Sequence, residues 1–410
     1  MYFSCQPPFK VQIKEILQTG NFSIKEWISN VSELESYPVC NDEQEGGDAK
    51  VLGMRWNPKR DNFEFKININ FSPKKRKVRT GPNLSIECFL KNKFSLTKQI
   101  ILSQINGIFD PLGLLVPFTI KAKIMMQNFW KNSLKPLTWD DILPDEVTSE
   151  WCQFFKDLYE VEKIIFHRCV KPQNAKGQPS LIIFSDAPEE AYGACAYVRW
   201  PIGDDSFESS LLCAKGRVAP LKKISIVRLE LCGAVIAKRL YCFINEECRF
   251  RFENVHFIVD SKIVQAMIHK ESYGFKTYAS VRIGEIQFAT PKQCWAWIEG
   301  ENNIADWITR PKTPEELSEN GEWQVGPGWL KLPEDQWPIN SKPSNIELPE
   351  TLEVVTALNV IKKEEKIMNV IDITRFSSYI KLLHVTARIL SVFMDKTSFS
   401  LFKHVLRYEY

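Results

Sequence analysis

Four acidic residues fall where a protein built of strands and helices would do chemistry. Asp186 closes the apolar run LIIFS, and Asp260 closes VHFIV. Such runs read as strands buried on both faces. In open α/β sheets, ligand chemistry gathers beyond the carboxyl ends of those strands. Glu230 is out of place in another way. Its helical neighbours are Ile226, Val227, Gly233, Ala234 and Ala237, an apolar, close-packing face. An ionised carboxylate there is costly unless it is paired or holds a metal. Asp306 follows Asn302-Asn303, a candidate N-cap, and so falls in the first turn of a short helix. An acid in that turn also serves the free amides and the helix dipole. Singly, each has a plain structural reading: strand closure for Asp186 and Asp260, a hidden cationic partner for Glu230, capping for Asp306. Together they are hard oxygen ligands without a His or Cys cluster, which suits Mg²⁺ or Mn²⁺. Two such ions about 3.5–4 Å apart clamp the attacking and leaving oxygens of a phosphodiester displacement.

The elements that must position these acids follow from periodicity. LIIFSD (181–186), ACAYVRW (194–200) and SSLLCAK (209–215) read as strands, and 226–244 as a long helix. VHFIVD (255–260) is a strand, followed by a short helix in SKIVQAMIHK and another around 279–289. The strand CWAWIE (294–299) and a short helix from 303 complete the unit. This order predicts an α/β fold, a mixed sheet flanked by helices. Upstream, residues 51–71 read as two strands around an Asn-Pro/Asp-Asn turn. The basic stretch SPKKRKVRTGPN reads as a loop. Residues 96–133 carry helical periodicity on both sides of Asp110-Pro111, and Trp139–Tyr159 an amphipathic helix begun near Pro144. Residues 311–365, rich in Pro, Glu, Ser and Asn, read as a linker, and 366–410 as helical again.

The chain has 410 residues, 44% hydrophobic and 25% charged, which excludes a disordered or collagen-like protein. Its net charge is only +3, so any surface for nucleic acid must be local. No stretch approaches the roughly 18–20 apolar residues of a membrane span. The best candidate, Ile101–Ile120, is broken by Gln104, Asn106, Asp110 and prolines. The first residues lack the plan of a secretory signal, so an intracellular place, cytoplasm or nucleus, is expected, with no membrane partner. The 11 cysteines include no C-x-x-C and read as reduced core thiols, and the 5 histidines form no tight pair for zinc.

At these residues the chain resembles the ribonuclease H domain of BEL/Pao-type LTR retrotransposon polyproteins. SDAPEEAYGACAYVR (185–199), AKGRVAPLKK (214–223), VRLELCGAVIAKRL (227–240), IVDSKIVQAMI (258–268) and GENNIADWITR (300–310) carry the resemblance. Upstream, GNFSIKEWISN (20–30), KVLGMRWNPKRDNFEF (50–65) and residues 101–131 look like the end of the family's reverse-transcriptase palm and its thumb/connection. Downstream, WQVGPGWLKLPEDQWP (323–338) and ITRFSSYIKLLHVTARIL (373–390) look like segments preceding its integrase. The resemblance implies a palm remnant at 1–71, a basic loop at 72–95 and a thumb/connection-like helical region at 96–170. A ribonuclease H-like domain follows at 178–312, then a linker at 313–365 and a helical integrase-proximal tail at 366–410.

The resemblance also implies a catalytic and metal-binding set of Asp186, Glu230, Asp260 and Asp306. With two Mg²⁺ or Mn²⁺ ions these would hydrolyse the RNA strand of an RNA/DNA hybrid, leaving a 3′-hydroxyl and a 5′-phosphate. The polymerase Tyr/Phe-x-Asp-Asp motif (Asp140-Asp141 and Asp204-Asp205 sit in helix-start and turn sequences), a protease Asp-Thr/Ser-Gly motif and the integrase zinc and acidic residues are absent from the sequence. None of those activities is therefore expected of it. The His that many ribonucleases H carry before the last Asp is missing from WAWIEGENNIAD. Lys215, Arg217, Lys222 and Lys223 are candidate contacts to the hybrid backbone, with Ser261 and Asn303 as sugar or phosphate contacts. PKKRKV, with Lys74, Lys75, Arg76 and Lys77, looks like a nuclear-import signal that importin would read; a template-contacting loop or a solvated insertion are the other readings. A complete retrotransposon polyprotein acting in trans is a further expected partner. The alternative reading is a catalytically silent fragment that binds nucleic acid or another protein.

Overall fold

The computed structural model describes residues 7–22, 49–51, 54–75, 78–91, 93–131, 137–352 and 376–393. Arg76 and Lys77, most of 20–30, all of 353–365 and the tail outside 376–393 lie outside the described residues.

Helix α1 (Pro7–Thr19) comes first. A small antiparallel sheet of order β1-β2-β3-β6 then joins β1 (Ala49–Val51), β2 (Met54–Asn57), β3 (Asn62–Glu64) and β6 (Phe166–His167). At its tight turn, Asn57 Oδ1 accepts from the Lys59 and Arg60 amides. Asp61, in the left-handed region at φ 54°, receives Trp56 Nε1 and the Arg168 guanidinium. Residues 65–71 do not continue the ladder. Phe65, Ile67 and Ile69 are buried, but the Ile67 and Asn70 amides donate to Glu162 and Gln104 side chains instead.

The segment read as a basic loop at 72–95 is partly regular. β4 (Lys74–Lys75) pairs with β5 (Val78–Arg79), and α2 (Ile86–Lys91) follows. The Arg79 guanidinium donates to Ser72 O and Ser103 Oγ, which fastens the hairpin to the next helix. That helix is α3 (Lys98–Ile105), followed by α4 (Val116–Lys131) and α5 (Asp145–Glu160). The break between α3 and α4 is built by Asp110. Its carboxylate accepts from the Leu114 and Leu115 amides at 2.9 and 2.8 Å.

The large sheet has the order β12-β11-β10-β7-β8-β9. Its strands are β7 (Ser180–Asp186), β8 (Ala191–Gly203), β9 (Ser206–Val218), β10 (Val255–Val259), β11 (Trp295–Ile298) and β12 (Ile339–Asn340). β7, β10 and β11 run parallel, and the other pairings are antiparallel. Period-two alternation makes β7 two-faced. Leu181 and Ile183 enter one apolar cluster, Ile182 and Phe184 the other, and all four are fully buried. α6 (Ile226–Glu247), α7 (Lys262–His269) and α8 (Thr277–Ala289) supply the first cluster. α4, α9 (Asp306–Thr309) and the stretch after it supply the second.

That stretch corrects the expected linker at 313–365. Its described part carries α10 (Glu322–Val325) and β12, and buries Leu317, Trp323, Leu330 and Trp337. Trp323 Nε1 donates to Leu114 O, and the Tyr197 hydroxyl donates to Trp323 O, both at 2.8 Å. The buried Arg199 guanidinium donates to Leu330 O and Leu332 O. These partners lie far away in the chain, so no local periodicity announces them. The described residues up to Leu352 form one unit; those from 376 belong to a second, where α11 (Tyr379–Phe393) lies. Every described cysteine is a free thiol. Among the described residues, no helix is long and apolar enough to cross a membrane.

Candidate active site

The parallel register places Val259 beside Ser185, so Asp260 and Asp186 leave adjacent strand ends together. The Asp186 carboxylate accepts from the Ala187 amide at 2.7 Å and from the Thr309 hydroxyl at 2.5 Å. Asp260 lies within electrostatic reach of Asp186 and Glu230, and the Asn303 side chain lowers its proton affinity against the effect of burial. Glu230 reaches the same region from α6, half-buried, and accepts from Ser261 Oγ at 2.7 Å. Asp306, at the start of α9, pairs with Arg310 Nε at 2.7 Å.

Two glycines allow this approach. A Cβ on Gly233 would lie 3.1 Å from Asp186 O, so α6 rests directly on the end of β7. A Cβ on Gly193 would lie 2.5 Å from Lys215 O and 2.6 Å from Ile308, so α9 rests on β8.

Burial and like charge raise the proton affinity of the group. Burial, and then Asp260, push Asp186 from 3.8 up to about 7, with Asp306 adding a smaller push. Burial, with Glu230 adding to it, raises Asp260. Burial, with Asp186 adding to it, raises Glu230 against the lowering effect of the Ser261 hydroxyl. The fold thus brings Asp186, Asp260 and Glu230 into mutual electrostatic reach and sets Asp306 beside Asp186. Among the described residues, no three acidic, His or Cys side chains converge closely enough to hold an ion as they stand.

Ser261 and Asn303, expected as sugar or phosphate contacts, are buried at 8% and 3% exposure. Ser261 caps α7 by accepting from the Val264 amide and donates to Glu230. Asn303 donates to Ser185 O and accepts from the Ala305 amide. Their polar atoms point at the carboxylates and strand ends rather than outward. The residue before α9 is Ala305, so Asn303 is not the N-cap that the sequence pattern suggests. Lys215, Arg217, Lys222 and Lys223 are all exposed, on β9 and the turn that leads into α6. Lys74 and Lys75 lie in β4.

Sequence reasoning passed over three residues. Thr309 and Arg310 stand three and four positions after Asp306, the spacing that puts side chains on one helical face, and this signal was available. Lys123 had none. On α4, it is pushed below the ordinary lysine range by burial and then by Lys215, with Asp110 opposing.

A mixed sheet with three parallel central strands, helices on both faces and acids at the strand ends defines an α/β fold of the ribonuclease H-like class. Residues 97–261 match the model of the Pao retrotransposon-like RNaseH-like domain, and this stretch is a domain of that kind. The match includes Asp186, Glu230 and Asp260 and ends before Asp306. A solved structure, RNase H1 from the halophilic archaeon Halobacterium salinarum NRC-1, is similar over 33% of this chain and 92% of that one. Its identity is 13% and its TM-score 0.20. No curated protein matches the chain.

Proposed function

We propose that this protein is a divalent-cation-dependent ribonuclease H that hydrolyses the RNA strand of an RNA/DNA hybrid. The observation that carries the reading is the pair of strand-end carboxyls, Asp186 and Asp260. They are half-buried, within electrostatic reach of each other and of Glu230, with their proton affinity raised. Like charges brought together and partly desolvated are relieved when a cation neutralises them. The donor set is all oxygen, which fits Mg²⁺ or Mn²⁺. Asp186 and Asp260 would hold both ions, Glu230 one and Asp306 the other. When bound, the ions supply charge stabilisation along an in-line phosphodiester displacement.

The chain's own residues set the geometry. Thr309 and the Ala187 amide fix the Asp186 carboxylate, Ser261 fixes Glu230, and Asn303 ties Asp260 to the end of β7. Lys215, Arg217, Lys222 and Lys223 offer exposed charge to the hybrid backbones, which needs no sequence reading.

The test is cleavage of a labelled hybrid by the full chain with Mg²⁺, beside Asp186→Asn and Asp260→Asn. At least about a 10³-fold loss in each variant is expected, the scale of removing several kcal/mol of transition-state stabilisation. Cleavage by the wild type no faster than by these variants would refute the reading. A second reading, nucleic-acid binding without turnover, draws on the Arg310–Asp306 ion pair, which already occupies one carboxylate. Hybrid binding without cleavage would favour it. Residues 170–320 alone are unsuited to the test, because they lack the edge strand β12 and the side chains Trp323, Leu330 and Trp337 that cover the sheet's second face. The import reading of Lys74–Lys77 predicts that deleting this run abolishes nuclear accumulation of a tagged chain.

A further inference from the structure

At the other end of the large sheet lies a cavity of about 390 Å³, within the size range of small-ligand sites. Lys171, Arg249 and Arg251 line it together with Gln178, Trp200 and Phe250, and none of its described lining residues is acidic. Lys171 and Arg251 are exposed. The Lys171 ammonium stands 5.1 Å from the Trp200 ring centroid, and Phe250 meets Trp200 edge to face at 5.4 Å. Trp200 is only 2% exposed, and its indole nitrogen has no hydrogen-bond partner. A buried donor left unpaired is costly. Lys171 and Arg251, exposed at one concavity with no acid among its described lining residues, likewise favour an anion. Cationic side chains interleaved with aromatic rings are the composition that holds phosphate on one side and a base on the other.

We propose that this cavity is a nucleotide-binding site, distinct from the acidic cluster. Lys171 and Arg251 take the phosphate. Phe250 packs on the base, and Gln178 offers its side-chain amide to the base edge. On β8, Gly193 is level with Asp186, and Trp200 lies seven residues further on, about 23 Å along the strand. The site therefore needs no activity at the acids. The same chemistry can come from a free nucleotide or from a residue of a single strand.

The experiment uses the full chain carrying Asp186→Asn, so that binding is read without cleavage. Fluorescence anisotropy follows a labelled oligo-dT of about eight residues. AMP and inorganic phosphate serve as competitors. Lys171→Ala with Arg251→Ala is expected to weaken oligonucleotide binding at least tenfold. It should also flatten the slope of log K against log salt by about 0.7, the value for one phosphate contact on a single strand. Phe250→Ala should weaken binding about tenfold through weaker stacking. Displacement by AMP at concentrations where phosphate fails supports a free nucleotide as the source. Binding of the oligonucleotide without AMP competition supports a strand. Unchanged affinity and slope in the double variant, with native circular dichroism and melting temperature, would overturn the proposal. Competition by phosphate as strong as by AMP would do so too.

Discussion

Replacing Asp186 by Asn should stabilise the cation-free protein while it abolishes cleavage. Asp186 is held at about 7 against an ordinary 3.8, a gap that corresponds to about 4 kcal/mol. The sign follows from the direction of the shift. A carboxyl whose folded pKa is raised contributes stability below its unfolded value, and that contribution is lost as the pH climbs through the folded value. Near pH 8 the whole penalty is present; near pH 5 less than half of it is. Asp186 and Asp260 titrate as a pair, so the penalty belongs to both. Asn keeps the acceptor for the Ala187 amide and turns a donor toward the Thr309 hydroxyl, which can instead donate to Asp306 O, 3.1 Å away. We therefore expect a gain of about 1–4 kcal/mol near pH 8 in EDTA, read as about 2–8 °C in melting temperature. The gain should shrink by more than half near pH 5. Mg²⁺ should raise the melting temperature of the wild type more than that of the variant, because a ligand stabilises only the state that binds it. Differential scanning calorimetry at the two pH values decides. A melting temperature in EDTA near pH 8 equal to or below that of the wild type would refute the electrostatic account of the site.

Thr309→Val removes the hydroxyl that positions Asp186; about a tenfold fall in kcat with KM within about twofold is expected from hybrid cleavage kinetics. Trp323→Ala empties a fully buried site and cuts the bond to Leu114 O. A loss of about 3–5 kcal/mol is expected from urea unfolding, whereas a segment lying loosely on the surface would lose almost none. Lys215→Ala with Arg217→Ala removes two exposed charges from β9. The salt slope of hybrid binding should flatten by about 0.9 for each phosphate left without its cation, while the melting temperature holds within about 1 °C.

The reading from sequence reached furthest where a pattern is local. Apolar runs of strand length ending in Asp186 and Asp260, and a long helix carrying Glu230 among small residues, are each written within a few neighbouring positions. Strand, helix and acid can be read there without the fold. The stretch after residue 312 was not legible, since its composition is that of a linker. Its structure comes from single large side chains, Trp323, Leu330 and Trp337, that seat on a sheet made elsewhere. Ser261 and Asn303 read as outward contacts because polarity beside a candidate acid gives no direction. Packing turned them inward. Thr309 meets Asp186 across 123 positions and Asn303 meets Ser185 across 118. The sequence thus determined the strands closed by Asp186 and Asp260 and the long helix that carries Glu230. Only the tertiary structure decided which hydroxyl and amide hold each carboxylate, and how far burial and like charge raise its hold on a proton. Those quantities depend on distances between segments, and close packing alone sets them.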